Sequence, residues 1–249
     1  MEPAKRLLSL DTLRGFDMIF IMGFASMVTA ACSIFPGGES CFLASQMHHV
    51  AWNGFHHHDT IFPLFLFIAG VAFPFSYAKQ LSSGVSRGRI YRKIITRGLV
   101  LFLLGLVYNG LFSLDFANLR IFSVLARIGF AWMFAALLFV NFKPGTRGII
   151  AVVLLVGYWL LLRFVPAPDA PGADPFSYEG NLVGYVDRIL FPSHLLHPGQ
   201  FDPEGLLSLL PAIVTAMLGM FTGEFVRLDE QKVSGSKKSL YMALAAVAK

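Results

Sequence analysis

Charge is scarce in this sequence. Asp, Glu, Lys and Arg make up 14 % of its 249 residues, hydrophobic residues make up 55 %, and the mean hydropathy is +0.64. Soluble domains of ordinary composition carry about 25 % charged residues, so that class is excluded. The apolar runs also lack the alternating apolar and polar pattern of a lipid-facing strand, which excludes a β-barrel. The first run does not combine a preceding basic region with a following small-residue cleavage site of the usual form, so it reads as a retained span rather than a signal peptide. Internal repeats, low-complexity tracts and a second soluble domain are missing as well. Only two cysteines occur, Cys32 and Cys41. They fall at the outer end of the first span and in the first outer loop, where an oxidising compartment permits a disulfide; two unpaired small hydrophobes is the plainer alternative.

What remains is a series of long apolar stretches with at most one charged residue each. A transmembrane helix needs about 20 mostly apolar residues to cross a hydrocarbon core of ~30 Å. Such stretches run from Phe16 to Phe35, Thr60 to Ala78, Gly98 to Leu114, Ile121 to Phe142, Gly148 to Val165 and Gly205 to Val226. A seventh starts near Ser239 and stops at Lys249, about half the length of a span, so the chain is expected to be the front part of a longer protein. The expected fold is all-α: a polytopic transmembrane helical bundle of six spans plus the start of a seventh, forming a single membrane domain over residues 1–249.

Lysine and arginine set the orientation. With the N-terminus in the cytoplasm, one side receives Lys5, Arg6 and Arg14, then the run from Lys79 to Arg97, then Lys143 and Arg147, then Arg227, Lys232, Lys237 and Lys238; the opposite loops hold only Arg120 and Arg188. The positive-inside rule therefore predicts a multi-pass protein of the cell (inner) membrane with its N-terminus inside. The net charge of +5 calls for no nucleic-acid partner, because the excess lies in cytoplasmic loops. On this topology residues 36–58 and 166–204 face outward, and the second stretch, rich in Pro, Gly and acidic residues, forms an extracytoplasmic loop region long enough to cap a site.

Five histidines crowd the first outer loop, in "HHVAWNGFHHHDTIFPLFLFIAG". Histidine is the side chain whose charge changes nearest neutrality, and so it can move protons at working pH. A metal site is not expected, because consecutive histidines on a helix point about 100° apart and "HHHD" offers at most two well-placed ligands. His56, His57 and His58 read as an interfacial collar at a helix start, with Asp59 as N-cap or dipole partner of the second span. From spacing alone, His49, followed by Trp52, Asn53 and Gly54, reads as an ordinary interfacial histidine. At the inner end of the first span, Asp11, Arg14 and Asp17 share one helix face, where the arginine can pair with either acid, as an anchor or as an interior ion pair. Arg127, several residues inside the fourth span, faces either a carboxylate or an anionic ligand. Pro63, Pro74 and Pro211 are expected to break spans and free carbonyls.

Four stretches taken together, "RLLSLDTLRGFDMIFIM", "HHVAWNGFHHHDTIFPLFLFIAG", "RIFSVLARIGFAWMF" and "FDPEGLLSLLPAIVTAMLGMFTGE", resemble in this order the segments of the heparan-alpha-glucosaminide N-acetyltransferase family. The combination of H-x-x-W-N-G, D-x-x-F-P-x-F-x-F and D-P-E-G carries the likeness. The resemblance implies transfer of acetyl from cytosolic acetyl-CoA to the amino group of a glucosamine-type sugar or glycan beyond the membrane. It also implies that His49 is the catalytic histidine, as base or transient acetyl carrier. Asp59 or Asn53 would orient the ring or the acceptor, Trp52 would stack on the sugar, and Glu204 would join the acceptor site. Arg14, Arg127 and Asp11, with the basic second inner loop, are the candidates for the donor's CoA moiety, since arginine grips phosphate bidentately. The partners implied are acetyl-CoA, the amino sugar and the lipid bilayer; a homodimer is compatible with this architecture. The competing reading is a secondary transporter or flippase of a sugar or lipid-linked glycan, which would also have proline-broken spans and buried charge.

Overall fold

A computed structural model describes residues 8–35, 41–191, 195–196, 201–228, 235–238 and 241–242, and among them the chain is helical with no β-strand. Among the described residues, five helical stretches are long and apolar enough to cross a membrane: Leu8–Ser33, His57–Ser82, Val124–Asn141, Pro144–Phe164 and Leu209–Val226. The chain divides into two compact units, residues 1–68 and 69–249.

In the first unit α1 (Leu8–Ile19) and α2 (Ala25–Ser33) are joined by a π-helical turn, Phe20–Phe24, to make the first span. Within that turn Gly23 adopts φ +120°, a conformation that side chains resist and glycine accepts. The helix begins well before the expected Phe16. Asp11 lies in its first turn, where the free N–H groups favour an acid, so the charged "LSLDTLRG" segment is helical. Arg14 pairs with Asp11 at 3.3 Å, and Asp17 is 2 % exposed. A short α3 (Phe42–Gln46) follows, then irregular chain, then a 3-10 turn (His57–Thr60) that runs into α4 (Ile61–Ser82).

In the second unit, reached along α4, come α5 (Arg87–Tyr108), α6 (Val124–Asn141), α7 (Pro144–Phe164), α8 (Leu182–Leu190) and α9 (Leu209–Val226). The expected third span is modified. α5 is 22 residues long but opens with Arg87, Arg89, Arg92, Lys93 and Arg97, and it stops at Asn109 and Gly110 (φ +96°) instead of continuing to Leu114. Its apolar part from Gly98 is therefore about 16 Å of helix, roughly half a hydrocarbon core. The stop is fastened by Asn109 Nδ2, which donates to the carbonyls of Arg120 and Phe122 at 2.8 Å each. The Ser123 hydroxyl then caps α6 by accepting the Ala126 N–H at 3.0 Å. The expectation of three proline-broken spans is corrected as well. Pro63 and Pro211 fall in the first turns of α4 and α9, where a missing N–H costs little, and Pro74 alone is interior. The expected start of a seventh span lies mostly outside the described residues.

Without a hydrophobic drive between helices in lipid, close packing needs small residues. A Cβ on Gly70 would strike the backbone oxygen of Ala216, and one on Gly223 the backbone oxygen of Val71, so α4 and α9 touch backbone to backbone. Gly98 and Gly129 do the same for α5 and α6, where an added Cβ at Gly129 would lie 2.9 Å from the Gly98 oxygen. Near the start of α7 the buried Arg147 donates Nη2 to both Glu224 oxygens at 2.8 and 2.9 Å and lies over the Phe139 ring at 4.2 Å. This pair ties α6, α7 and α9 together, with the buried cation matched by a carboxylate.

Candidate active site

The first unit gathers the histidine loop around one carboxylate. His49 Nδ1 lies 2.6 Å from Asp59 Oδ1. A carboxylate can only accept, so Nδ1 carries the hydrogen, and in the neutral ring the lone pair then lies on Nε2. The His49 side chain is 69 % exposed and Asp59 23 %, so the ring is presented to its surroundings from a fixed support. Asp59 is held in turn by its other oxygen, which accepts the His56 N–H at 2.9 Å. Thus His56, and not Asp59, caps the helix start, and Asp59 reaches back to it from the third position of the 3-10 turn. The expectation of Asp59 as N-cap is therefore corrected: one of its oxygens meets the His49 ring and the other accepts the N–H of the capping residue.

The loop between the pair is tied at several points. His56 Nδ1 donates to the His48 carbonyl at 2.8 Å, and the His57 N–H donates to Gln46 Oε1 at 3.0 Å, which fastens α3 to the 3-10 turn. The His58 ring meets the His49 ring edge to face, 4.6 Å apart and tilted 75°. Gly54 sits at φ +134° with Val50 Cγ1 3.1 Å from where a Cβ would be, so the glycine of "WNG" is required by the turn that returns the chain toward Asp59. Trp52 is half-buried, and Asn53 and Phe55 are exposed on the same turn. Deeper in the span, the buried Asp17 lies within electrostatic reach of His57, whose ring also packs on Phe20 at 4.6 Å. Asp17 Oδ2 and His57 Nδ1 have no hydrogen-bond partner among the described residues. Of the expected inner-end trio, then, Asp11 and Arg14 pair with each other and Asp17 turns to a histidine.

The second unit contains a separate polar cluster that sequence reading had not assembled. Arg120 donates Nε and Nη2 to Asp202 at 2.8 and 2.7 Å, and Nη2 also bonds Glu204. Asp202, fully buried, accepts the N–H groups of Leu196 and Glu204 as well. Burial alone would raise its carboxyl, but the Arg120 guanidinium outweighs that and holds it below the usual carboxylate range. Burial together with neighbouring Asp202 pushes Glu204 up. Asp187, also fully buried, is pushed up to about 6, chiefly by burial, although it accepts the Leu206 and Asp202 N–H groups at 3.2 and 3.4 Å. A Cβ on Gly205 would collide with the Asp187 carboxylate, which accounts for the glycine of "DPEG". Arg127, expected at the donor's phosphates, gives Nη1 and Nη2 to the carbonyls of Pro203 and Ser208 at 2.9 and 3.1 Å. Glu204, expected at the acceptor, is bonded by Arg120. One signal for this cluster was present in the sequence: Arg120 and Arg188 are the two cations of the expected outer loops, and each finds an acid of the 166–204 segment, Arg188 bonding Asp169 at 2.9 Å through Nε and Nη2. Elsewhere Arg89, Arg92, Lys93, Thr96 and Arg97 line a groove of about 560 Å³ along α5, with Arg97 stacked on Trp132 at 4.3 Å. Among the described residues no group of three or more metal-ligating side chains converges.

A multi-pass helical membrane protein that holds an exposed imidazole against a carboxylate in the loop between its first two spans is the class this geometry defines. Residues 6–248 match the family described as heparan-alpha-glucosaminide N-acetyltransferase, catalytic, and the chain belongs to that family. It is 30 % identical over 268 residues to the heparan-alpha-glucosaminide N-acetyltransferase of Homo sapiens, covering 89 % of this chain and 38 % of that protein. With the Mus musculus protein of the same name it shares 28 % identity over 272 residues, covering 90 % of this chain and 40 % of the relative. The chain thus spans about two fifths of the length of the curated relatives it matches.

Proposed function

We propose that this chain carries the acetyl-transfer chemistry of a membrane enzyme that takes acetyl from cytosolic acetyl-CoA and places it on the amino group of a glucosamine-type sugar on the extracytoplasmic side. The observation that supports this reading most directly is the 2.6 Å contact between His49 Nδ1 and Asp59, which leaves an exposed imidazole with Nε2 free to accept a proton. An amine that attacks a thioester carbonyl must shed a proton as the C–N bond forms. Nε2 receives it, the tetrahedral intermediate expels the CoA thiolate, and the imidazolium returns the proton to sulfur, so amine and thioester become amide and thiol. Alternatively Nε2 attacks the thioester first and expels the CoA thiolate, forming an acetyl-imidazolium; the amine then takes the acetyl group, the C–N bond to the ring breaks, and the amine's proton ends on the thiolate. In both routes Asp59 keeps the ring in the correct tautomer and balances the imidazolium.

Trp52 and Asn53, on the turn beside His49, supply an aromatic face and an amide for a sugar ring and its hydroxyls. The basic face of α5 is suited to the donor's phosphates, and Arg14 with Asp11 stands at the start of α1 as a second polar group on the cytoplasmic side in this orientation. The test is transfer of labelled acetyl from acetyl-CoA to a panel of amino sugars in vesicles bearing the full-length protein. Labelled N-acetyl sugar is the expected product. Sugar uptake without acetylation would instead indicate a transporter.

A further inference from the structure

The acetyl-transfer reading leaves both cysteines without a task, yet the fold brings them together. Cys32 lies in the last turns of α2 and Cys41 at the cap of α3, and their sulfurs are 3.0 Å apart as free thiols. That is closer than non-bonded sulfurs pack, and about 1 Å of further approach reaches the bond length of a disulfide. We propose that Cys32 and Cys41 form a disulfide that braces the segment presenting His49. This rests on the reading that the first loop faces an oxidising extracytoplasmic space.

The placement gives the bond a function. α3 is five residues long, too short to hold its shape by its own hydrogen bonds, and it is followed within three residues by His49. At its far end Gln46 is bonded to the His57 N–H, and Ala44 in its middle is fully buried. At its near end the cysteine pair is the link to α2. On α2, Thr29 Oγ1 lies 3.5 Å from His48 Nε2, so α2 and the histidine segment already meet there. A sulfur–sulfur bond nine positions apart would close the bracket covalently.

The oxidation is an exchange with a disulfide-bearing oxidant, a protein or small-molecule disulfide of that compartment. Cys41, whose sulfur receives the Ala44 N–H at 3.3 Å, attacks as thiolate and forms a mixed disulfide; Cys32, deprotonated, displaces the oxidant's second sulfur. The pair loses two electrons and two protons, and the oxidant leaves as a dithiol.

The experiment is labelling of intact cells, carrying the full-length protein, with a membrane-impermeant maleimide before and after reduction by a phosphine, followed by mass spectrometry. No adduct before reduction, adducts on Cys32 and Cys41 after it, and a Cys32–Cys41 cross-linked peptide in the unreduced sample are expected. In Cys32→Ser, Cys41 is expected to label without reduction. Reduction of the wild-type protein is also expected to lower its melting temperature by about 5 °C. Adducts on both residues of unreduced intact cells would overturn the disulfide while leaving the orientation standing. Labelling only after the membrane is permeabilised would overturn both.

Discussion

His49 and Asp59 are ten positions apart, and their contact depends on a turn that needs glycine at position 54. Replacing Asp59 by Asn keeps the size of the side chain but lets its amide face Nδ1, so the ring loses its preferred tautomer and the charge that balances imidazolium. The expected result is a fall in kcat of about a hundredfold or more with little change in the KM for the amino sugar, read from initial rates. A second residue-scale expectation concerns Asp187, whose ordinary value near 3.8 is pushed up to about 6 by burial. Folded protein therefore holds this proton through a range in which unfolded chain has released it. Stability from this group is present below about pH 4 and is lost as pH climbs through 6, by about 3 kcal/mol in all. Thermal melts of wild type and Asp187→Asn between pH 4 and 7 should differ in slope by that amount, the variant being flatter. The types and neighbours of the histidines were legible in the sequence, as was the family likeness that singled out His49. The hydrogen bonds that fix its tautomer were not, because they depend on backbone turns that spacing does not encode. Nor was the pairing of Arg120 with Asp202, 82 positions away, although two cations in a loop system otherwise poor in them were a cue.

At the scale of helices, hydropathy located the spans because each must match the thickness of the bilayer. Their ends moved because caps and turns decide them: the first span gained an acidic first turn around Asp11, and α9 began at Leu209 because residues 202–208 are used by the carboxylate cluster. α5 shows the limit of a hydropathy reading most clearly. Its helix includes the arginines that precede the apolar run and ends where Asn109 and Gly110 turn it. The contact between α4 and α9 was invisible to hydropathy, since glycine scores as neither strongly apolar nor polar. It yields a direct test. Gly70→Ala places a methyl against the Ala216 backbone oxygen, which cannot move without displacing α9, and should destabilise the protein by about 1–3 kcal/mol. A control at Gly157, where a Cβ would meet nothing within 4 Å, should leave the melting temperature unchanged.

For the whole molecule, sparse charge and long apolar runs were sufficient to establish a multi-pass helical protein, because lipid tolerates few other architectures. Ile149, Val152, Val153 and Val156 form an exposed apolar face on α7. Residues 6–248 match the family described as heparan-alpha-glucosaminide N-acetyltransferase, catalytic, so the family likeness extends over nearly the whole chain. On the proposed function, one imidazole, steadied by Asp59, takes the proton of an amine as acetyl reaches it. The most direct test of that role is the initial rate of acetyl transfer from acetyl-CoA to glucosamine in vesicles carrying His49→Ala at wild-type expression and melting temperature. A loss of about a hundredfold or more relative to the wild-type protein is predicted; a rate within twofold of wild type would contradict the account.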